Sequence, residues 1–532
     1  MPLVKEAYHL VSELEEIISD RVGHVQTRSI LLFLIFSCAV YAGVKSIVRL
    51  YFHPLSKIPG PKLAAVSGWY DFYYNVIRDG TYSSYWPLMH KKYDSPVIRI
   101  GVNHVHIADE DVYHDIYCSG TEYFKDPVFY ERLGLDGAGL TMTDPIQHRA
   151  YKNVVGSLFS TRMTDTLGDI MVAEVQRAAD CMSRRAQEGH SVTIQRAYRS
   201  ISADMVCELM FGKSLNLANN PDNYHDLLQS VDRFSAITWP KQYFPIINKL
   251  IAASPTVLVN RVLPGFLGYR AKLMDWYEES RVRRALGQPS GKHQTFYDLV
   301  INSKWDTGQP GPDPDILVND SLNYIIAGMD TTSYTLAYAT YHILSSKDVR
   351  DKLDQELDEA APFIRTSMDL RKIERLPYVT AIIKEALRIS VAAPGGLPRL
   401  VPKQGLKVGN TFIPGGTVIF FSHRTVQMSA KIFPRPDEFI PERWLGRKGQ
   451  ELEKWNIAFS KGPRSCIGIN LAYLEMYASI AYMFSRFEME LVETDKSSIK
   501  SFDRFAARTK SQVKVKILKD RWKDKEKWND CP

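Results

Sequence analysis

Apolar residues run almost unbroken from Ser29 to Val48, with Lys45 as the interrupting charge near the end, and the pattern predicts a transmembrane helix. Before it, residues 1–28 are acidic and weakly amphipathic, with Leu10, Val11, Leu14, Ile17 and Ile18 on one face, which predicts a helical extension. A cleaved signal peptide would start earlier and carry a basic leader; a buried core helix is the other alternative. Pro54, Pro59 and Pro61 then break any continuing helix and predict a hinge over residues 50–62. Apolar and polar positions alternate from Val97 to Ile107, which predicts strands. The pattern dissolves between Phe124 and Thr143, where Gly134, Gly137 and Gly139 sit among aromatics and predict a long flexible loop. Asp144-Pro145 opens a helix, and residues 161–300 keep a helical period without a motif. After the breaker Gly308 to Pro314, a long apolar helix is predicted from Asp315 to Ser345, and another begins at Asn470, Leu471, Ala472, Leu474 and Met476.

Composition narrows the picture. The chain has 532 residues, of which 45% are hydrophobic, enough for a large core. Its net charge of +7 comes from interleaved acids and bases, without the basic stripe that nucleic-acid binding needs. The six cysteines have no framework spacing, which suits a reducing compartment. Lys45, Arg49, Lys57 and Lys62 follow the apolar run while the segment before it is acidic, so the main domain is expected on the cytosolic side.

Candidate chemistry concentrates at Phe459-Ser-Lys-Gly-Pro-Arg-Ser-Cys-Ile-Gly468. Glycines at 462 and 468 permit tight turns, and a helix starting just after Cys466 aims its positive end at the sulfur, the surroundings a metal-bound thiolate needs. Arg464 can offer a planar, two-pronged donor to a carboxylate. Zinc is a poor competitor because Cys466 has no Cys or His partner at zinc spacing; a cysteine nucleophile with a spatially adjacent base stays open. Within the long helix, Ala327-Gly-Met-Asp-Thr-Thr332 mixes poor helix formers, which predicts a bulge or kink at a site, or else a bending Thr with a solvated Asp. Glu385 and Arg388 share a helix face and read equally as a solvated pair.

The pattern F-x-x-G-x-R-x-C-x-G resembles the haem-binding loop of the cytochrome P450 family, and the linker after the apolar run resembles that of fungal microsomal members of the trichodiene-oxygenase-like group. Four motifs stand in the family's order over roughly residues 50–520. The resemblance implies a mainly α fold with a smaller β region, the cytochrome P450 fold, preceded by an N-terminal transmembrane helix. The domain organisation is then an extension 1–28, an anchor 29–49, a hinge 50–62 and a catalytic domain 63–532. It implies haem b with Cys466 as axial ligand, and Phe459, Gly468, Arg464, Arg399, His148 and Lys152 around the cofactor, Lys152 standing where the family has Arg. Asp330 and Thr331 match the family's proton-delivery pair; Glu385, Arg388 and Arg443 of Pro441-Glu-Arg-Trp444 match its buried charge network. Gly395, Gly396 and Leu397 would border the substrate cavity, which the loop at 124–143 helps to shape.

The implied activity is monooxygenation of a lipophilic small molecule, a terpenoid or other fungal secondary metabolite, with dioxygen and an NADPH-dependent flavoprotein reductase as partners. The implied location is the endoplasmic reticulum membrane, single pass, with the catalytic domain cytosolic. Two alternatives use the same residues: a haem-thiolate isomerase or dehydratase working without dioxygen, and a non-catalytic haem sensor.

Overall fold

The computed structural model describes residues 29–523 apart from 220–224, 264, 290, 292, 302 and 304–312; the extension 1–28 and most of the breaker before Pro314 lie outside these. The apolar helix spans Ser29–Phe52 with none of its most apolar window buried, and its last turn, Val48–Phe52, widens to a π-helix. It therefore reaches into the predicted hinge and stops at His53, which turns extended ahead of Pro54.

The organising element is the helix Pro314–Ser345, opened by Asp313, whose carboxylate accepts the Asp315 N–H, and by Pro314 in its first turn. It packs on the helices Ile194–Phe211, Pro377–Ser390 and Ile469–Arg486, and these elements share one large apolar cluster. No bulge interrupts Ala327–Thr332, where α-helix continues, and Thr331 Oγ1 back-bonds to Ala327 O at 2.8 Å as the bending-Thr alternative expects. Gly328 serves packing instead: a Cβ there would stand 2.4 Å from Val206 Cγ2, so the glycine lets the Ile194–Phe211 helix come close.

Beside this helical body lies a four-stranded sheet. Val97–Arg99 and His104–Ile107 pair antiparallel, as the alternation predicts; His104–Ile107 runs parallel to Val418–Phe420, which pairs antiparallel with Arg399–Leu400. Arg399 thereby sits on a fixed strand, opposite Ile419.

The segment 124–143 is better tied than its glycines suggest. Asp126 caps a short helix, Pro127–Glu131; donors from elsewhere hold two of the segment's carbonyls, Lys241 Nζ on Leu133 (2.7 Å) and Gln242 Nε2 on Phe129 (2.9 Å), and Lys125 Nζ ties it to itself at Leu140 O (2.5 Å). Asp320 of the long helix accepts the Gly139 N–H at 2.9 Å and the Tyr151 hydroxyl. Polar groups thus close this loop onto the body, which apolar periodicity cannot reveal.

Candidate active site

Cys466 occupies the turn ahead of the helix Ile469–Arg486. Its N–H donates to Phe459 O at 2.9 Å, and the Phe459 ring leans on Tyr473, 5.6 Å between centroids. Gly462 has φ +72, and a Cβ there would meet Tyr117 O at 2.7 Å, so both conformation and space demand glycine. The Cys466 residue is exposed. Burial among protein atoms pushes the thiol up, while the Gly468 N–H and the Lys152 ammonium pull it down. Those two stabilising groups are what a coordinated thiolate would use.

Cations gather nearby. Arg464 donates to the carbonyls of Met142 (2.7 Å), Thr143 (2.9 Å) and Asp144 (3.2 Å), and Arg399, almost fully buried, to Tyr130 Oη at 3.2 Å and Pro398 O at 3.0 Å. His148 is held neutral, pushed down to about 3 by burial and then by Arg464, Lys125 and Lys152. Lys152 Nζ donates to Pro463 O at 3.1 Å, on the thiolate loop. Among the described residues no carboxylate lies within ion-pair distance of Lys125, His148, Lys152, Arg399 or Arg464. Interior cations without counter-charge are costly, so this cluster fits a bound anion, and a porphyrin offers two carboxylates beside an iron that takes a thiolate. The residues fit haem. Sequence reasoning missed Lys125 and Tyr130, which sit in Phe124-Lys-Asp-Pro-Val-Phe-Tyr130; a lysine beside aromatics in the glycine-rich loop was the available signal.

The opposite wall is the Pro314–Ser345 helix. Ala327 is exposed and Thr331 half-exposed in mid-helix, while Met329, Asp330 and Thr332 beside them are buried. Thr331 Oγ1 donates to Ala327 O at 2.8 Å. Asp330 points away into a buried quartet: its carboxylate accepts from Arg199 Nε (3.1 Å) and from Arg508 Nη1 and Nη2 (3.1 and 2.5 Å), and both arginines also bind Asp232. Arg199, Arg508 and Asp232 were not legible as site residues, because they come from three separate segments. Gly395 and Gly396 also face protein: a Cβ would stand 2.4 Å from Asp503 Oδ2 and 2.7 Å from Phe420 Cβ, respectively. An apolar cluster of Phe129, Tyr130 and Leu133 with Leu140, Trp239, Phe420 and Phe505 adjoins them.

Glu385, Arg388 and Arg443 do meet. Arg388 binds both Glu385 oxygens at 2.8 Å, and Arg443 Nε reaches Oε1 at 3.1 Å. Trp444 Nε1 and the Ile440 N–H add bonds of 2.9 Å each. The pair is wholly buried, so the solvated-pair alternative is ruled out.

A cysteine at a helix N-terminus and cations with, among the described residues, no carboxylate in ion-pair range are groups that a haem-thiolate site would use. A cytochrome P450 family profile matches residues 69–517, and the chain belongs to the cytochrome P450 family, whose cofactor is haem ligated by a cysteine thiolate. It is 50% identical over 487 residues to the cytochrome P450 monooxygenase ankB of Aspergillus thermomutatus, covering 91% of this chain and 93% of that protein. Similarity to phqM of Penicillium fellutanum is 42% over 88% of each chain, and to cloA of Claviceps purpurea 39% over 90% and 94%. A solved structure of a cytochrome P450 (CYP102L1) superposes with a TM-score of 0.68 at 18% identity, covering 82% of this chain and 95% of that one, which shows the shared fold.

Proposed function

We propose that this chain is a membrane-anchored haem-thiolate monooxygenase that places one oxygen atom from dioxygen into a lipophilic fungal secondary metabolite, a terpenoid or another class. The observation that carries it is an exposed Cys466 ahead of a helix, with Arg464, Arg399, Lys125, His148 and Lys152 having, among the described residues, no carboxylate within ion-pair distance. The relatives' names as monooxygenases support the reaction. Bound haem supplies dioxygen activation and oxygen transfer, with the thiolate's electron donation favouring O–O cleavage. In this reading Cys466 is the iron ligand, Arg399, Arg464 and His148 stand around the carboxylates, and Lys152, bound to Pro463 O, joins Phe459 and Gly468 on the thiolate side. Thr331 Oγ1, on a half-exposed face of the Pro314–Ser345 helix, holds and passes a proton. Asp330 is the carboxylate behind it on the side of solvent, positioned by Arg199 and Arg508, which it shares with Asp232, 29% exposed; the guanidiniums fix its place and relay no proton themselves. The apolar cluster around Phe129 and Phe505 excludes water and suits a lipophilic substrate.

Residues 29–49 act as the anchor, 50–62 as the hinge and 63–532 as the catalytic domain, on the cytosolic face of the endoplasmic reticulum. Exposed Trp69, Ile77, Ile246, Leu250 and Val257 support contact with the bilayer, since Phe72, beside Trp69, packs its ring against Tyr243 and Phe244 and joins the two patches. Arg447, Lys448, Lys454 and Lys461 precede Cys466 and would steer an acidic NADPH-dependent flavoprotein reductase. Reduction rates that ignore both salt and charge reversal at these four would refute that role.

The reduced, carbon monoxide-bound protein should show the strongly red-shifted Soret band of thiolate ligation, and Cys466→Ala should lose it; an unchanged band in the variant overturns the reading. Metabolite profiling of a deletion strain, followed by turnover with and without reductase, identifies the substrate. Product formed without reductase or dioxygen would favour the isomerase alternative.

A further inference from the structure

We infer that Lys125, and not Lys152, is the lysine that completes the cage for the haem carboxylates, so that one ammonium ties the cofactor to the loop over the active site. The inference rests on the haem reading above. Lys125 is 7% exposed, donates to Leu140 O at 2.5 Å and lies 4.4 Å from the Tyr130 ring centroid. Its backbone bridges Arg399, and the Leu400 N–H donates to Phe124 O at 2.8 Å, so Lys125 and Arg399 are fixed side by side. An ammonium has three N–H donors; the carbonyl takes one and the ring face accepts a second at best. Enclosing the remaining charge beside two guanidiniums is unfavourable until an anion arrives. Burial, then Arg464 and Arg399, depresses the Lys125 ammonium accordingly.

Lys152 is placed differently. Its ammonium donates to Pro463 O at 3.1 Å, in the thiolate loop. Lys152 thus braces the sulfur side while Lys125 serves the carboxylates. The same assignment links haem to the loop above it. Lys125 holds Leu140 O, and Arg464 holds the carbonyls of Met142, Thr143 and Asp144, so the cations that face the carboxylates also draw in the loop's returning limb. An anion between them relieves their mutual repulsion and lets the loop stay closed.

The test uses full-length holoprotein and three variants: Lys125→Met, Lys125→Arg and Lys152→Met. Haem transfer to excess apomyoglobin should be about 10- to 100-fold faster in Lys125→Met, the loss expected for hydrogen bonds to a charged group, and close to wild type in Lys125→Arg, while any acceleration in Lys152→Met, which acts on the sulfur side, should be smaller than in Lys125→Met. Wild type and Lys125→Met should release iron protoporphyrin IX dimethyl ester, which lacks the carboxylates, at equal rates. Hydrogen exchange in peptides covering 133–143 should be faster in Lys125→Met than in wild type, unchanged in Lys152→Met, and faster in wild type loaded with the diester than with haem. Faster haem loss from Lys152→Met than from Lys125→Met, or a Lys125→Met defect that persists with the diester, overturns the inference while a normal thiolate spectrum keeps the haem reading intact. A wild-type chain with no thiolate Soret band refutes both.

Discussion

Arg388→Ala probes the buried charge network where the structure makes the stakes calculable. Arg388 gives Glu385 two charge-assisted bonds of 2.8 Å and donates to the carbonyls of Gln427 (2.8 Å), Pro436 (2.9 Å) and Glu438 (3.1 Å). Glu385 is fully buried, so truncation leaves a carboxylate with Arg443, Trp444 and the Ile440 N–H but without its two-pronged partner. Breaking such a pair costs about 3–5 kcal/mol, and stranded carbonyls add to this. Arg443→Ala should cost less, about 1.5–3 kcal/mol, because Arg443 makes a single bond to Glu385 and its contacts to Pro434 O and Arg435 O lie where water can replace them. Arg388→Lys should fall between wild type and Arg388→Ala, keeping the charge but losing the fork. Urea unfolding followed by tryptophan fluorescence and by the carbon monoxide-bound Soret band gives the ranking. If Arg388→Ala stays within about 1 kcal/mol of wild type, or Arg443→Ala proves the more damaging, the network is not what holds this region together.

Thr331→Ala should leave haem binding and reduction nearly intact but uncouple turnover, so that NADPH and oxygen are consumed while hydrogen peroxide replaces product. Unchanged coupling would move proton delivery away from Thr331. Asp330→Asn should slow turnover and also destabilise the fold, because Arg199 and Arg508 then lose the buried carboxylate they share; full stability in urea would contradict the quartet's role. Glu475 is buried against Ser202 Oγ, and burial pushes its carboxyl up to about 8 from 4.5, partly offset by that hydroxyl. The folded state holds a proton that the unfolded chain releases, so the stability from this group is full below pH 4.5 and lost as pH rises to about 8. Glu475→Gln should flatten that decline, and identical pH slopes would refute the assignment. Gly328→Ala should destabilise despite gaining about 1 kcal/mol of helix propensity, because its Cβ would meet Val206; Val206→Ala in the same chain should restore the loss, and a stable Gly328→Ala alone would show that the helices can part.

The sequence by itself determined what is written in consecutive residues. The loop from Phe459 to Gly468 was legible because turn glycines, ligand and helix start follow one another within ten positions, and each has a local physical reason. The bounds of the Pro314–Ser345 helix followed from its proline start and apolar period, and the strands around Val97–Ile107 from alternation. Tertiary structure decided what depends on distant segments meeting. Asp330 reads in sequence as an acid beside Thr331, yet its charge is met by Arg199 and Arg508, which no spacing rule connects to it. Gly328 reads as a weak point, yet Val206 on a neighbouring helix makes glycine the residue that fits. Lys125 reads as one more charge in a loop, and only the fold bridges it to Arg399 and buries it with, among the described residues, no carboxylate in ion-pair distance. Backbone geometry and periodicity are local and survive in a string of letters; burial and charge compensation are sums over the whole surround, and exist only once the chain has closed around them.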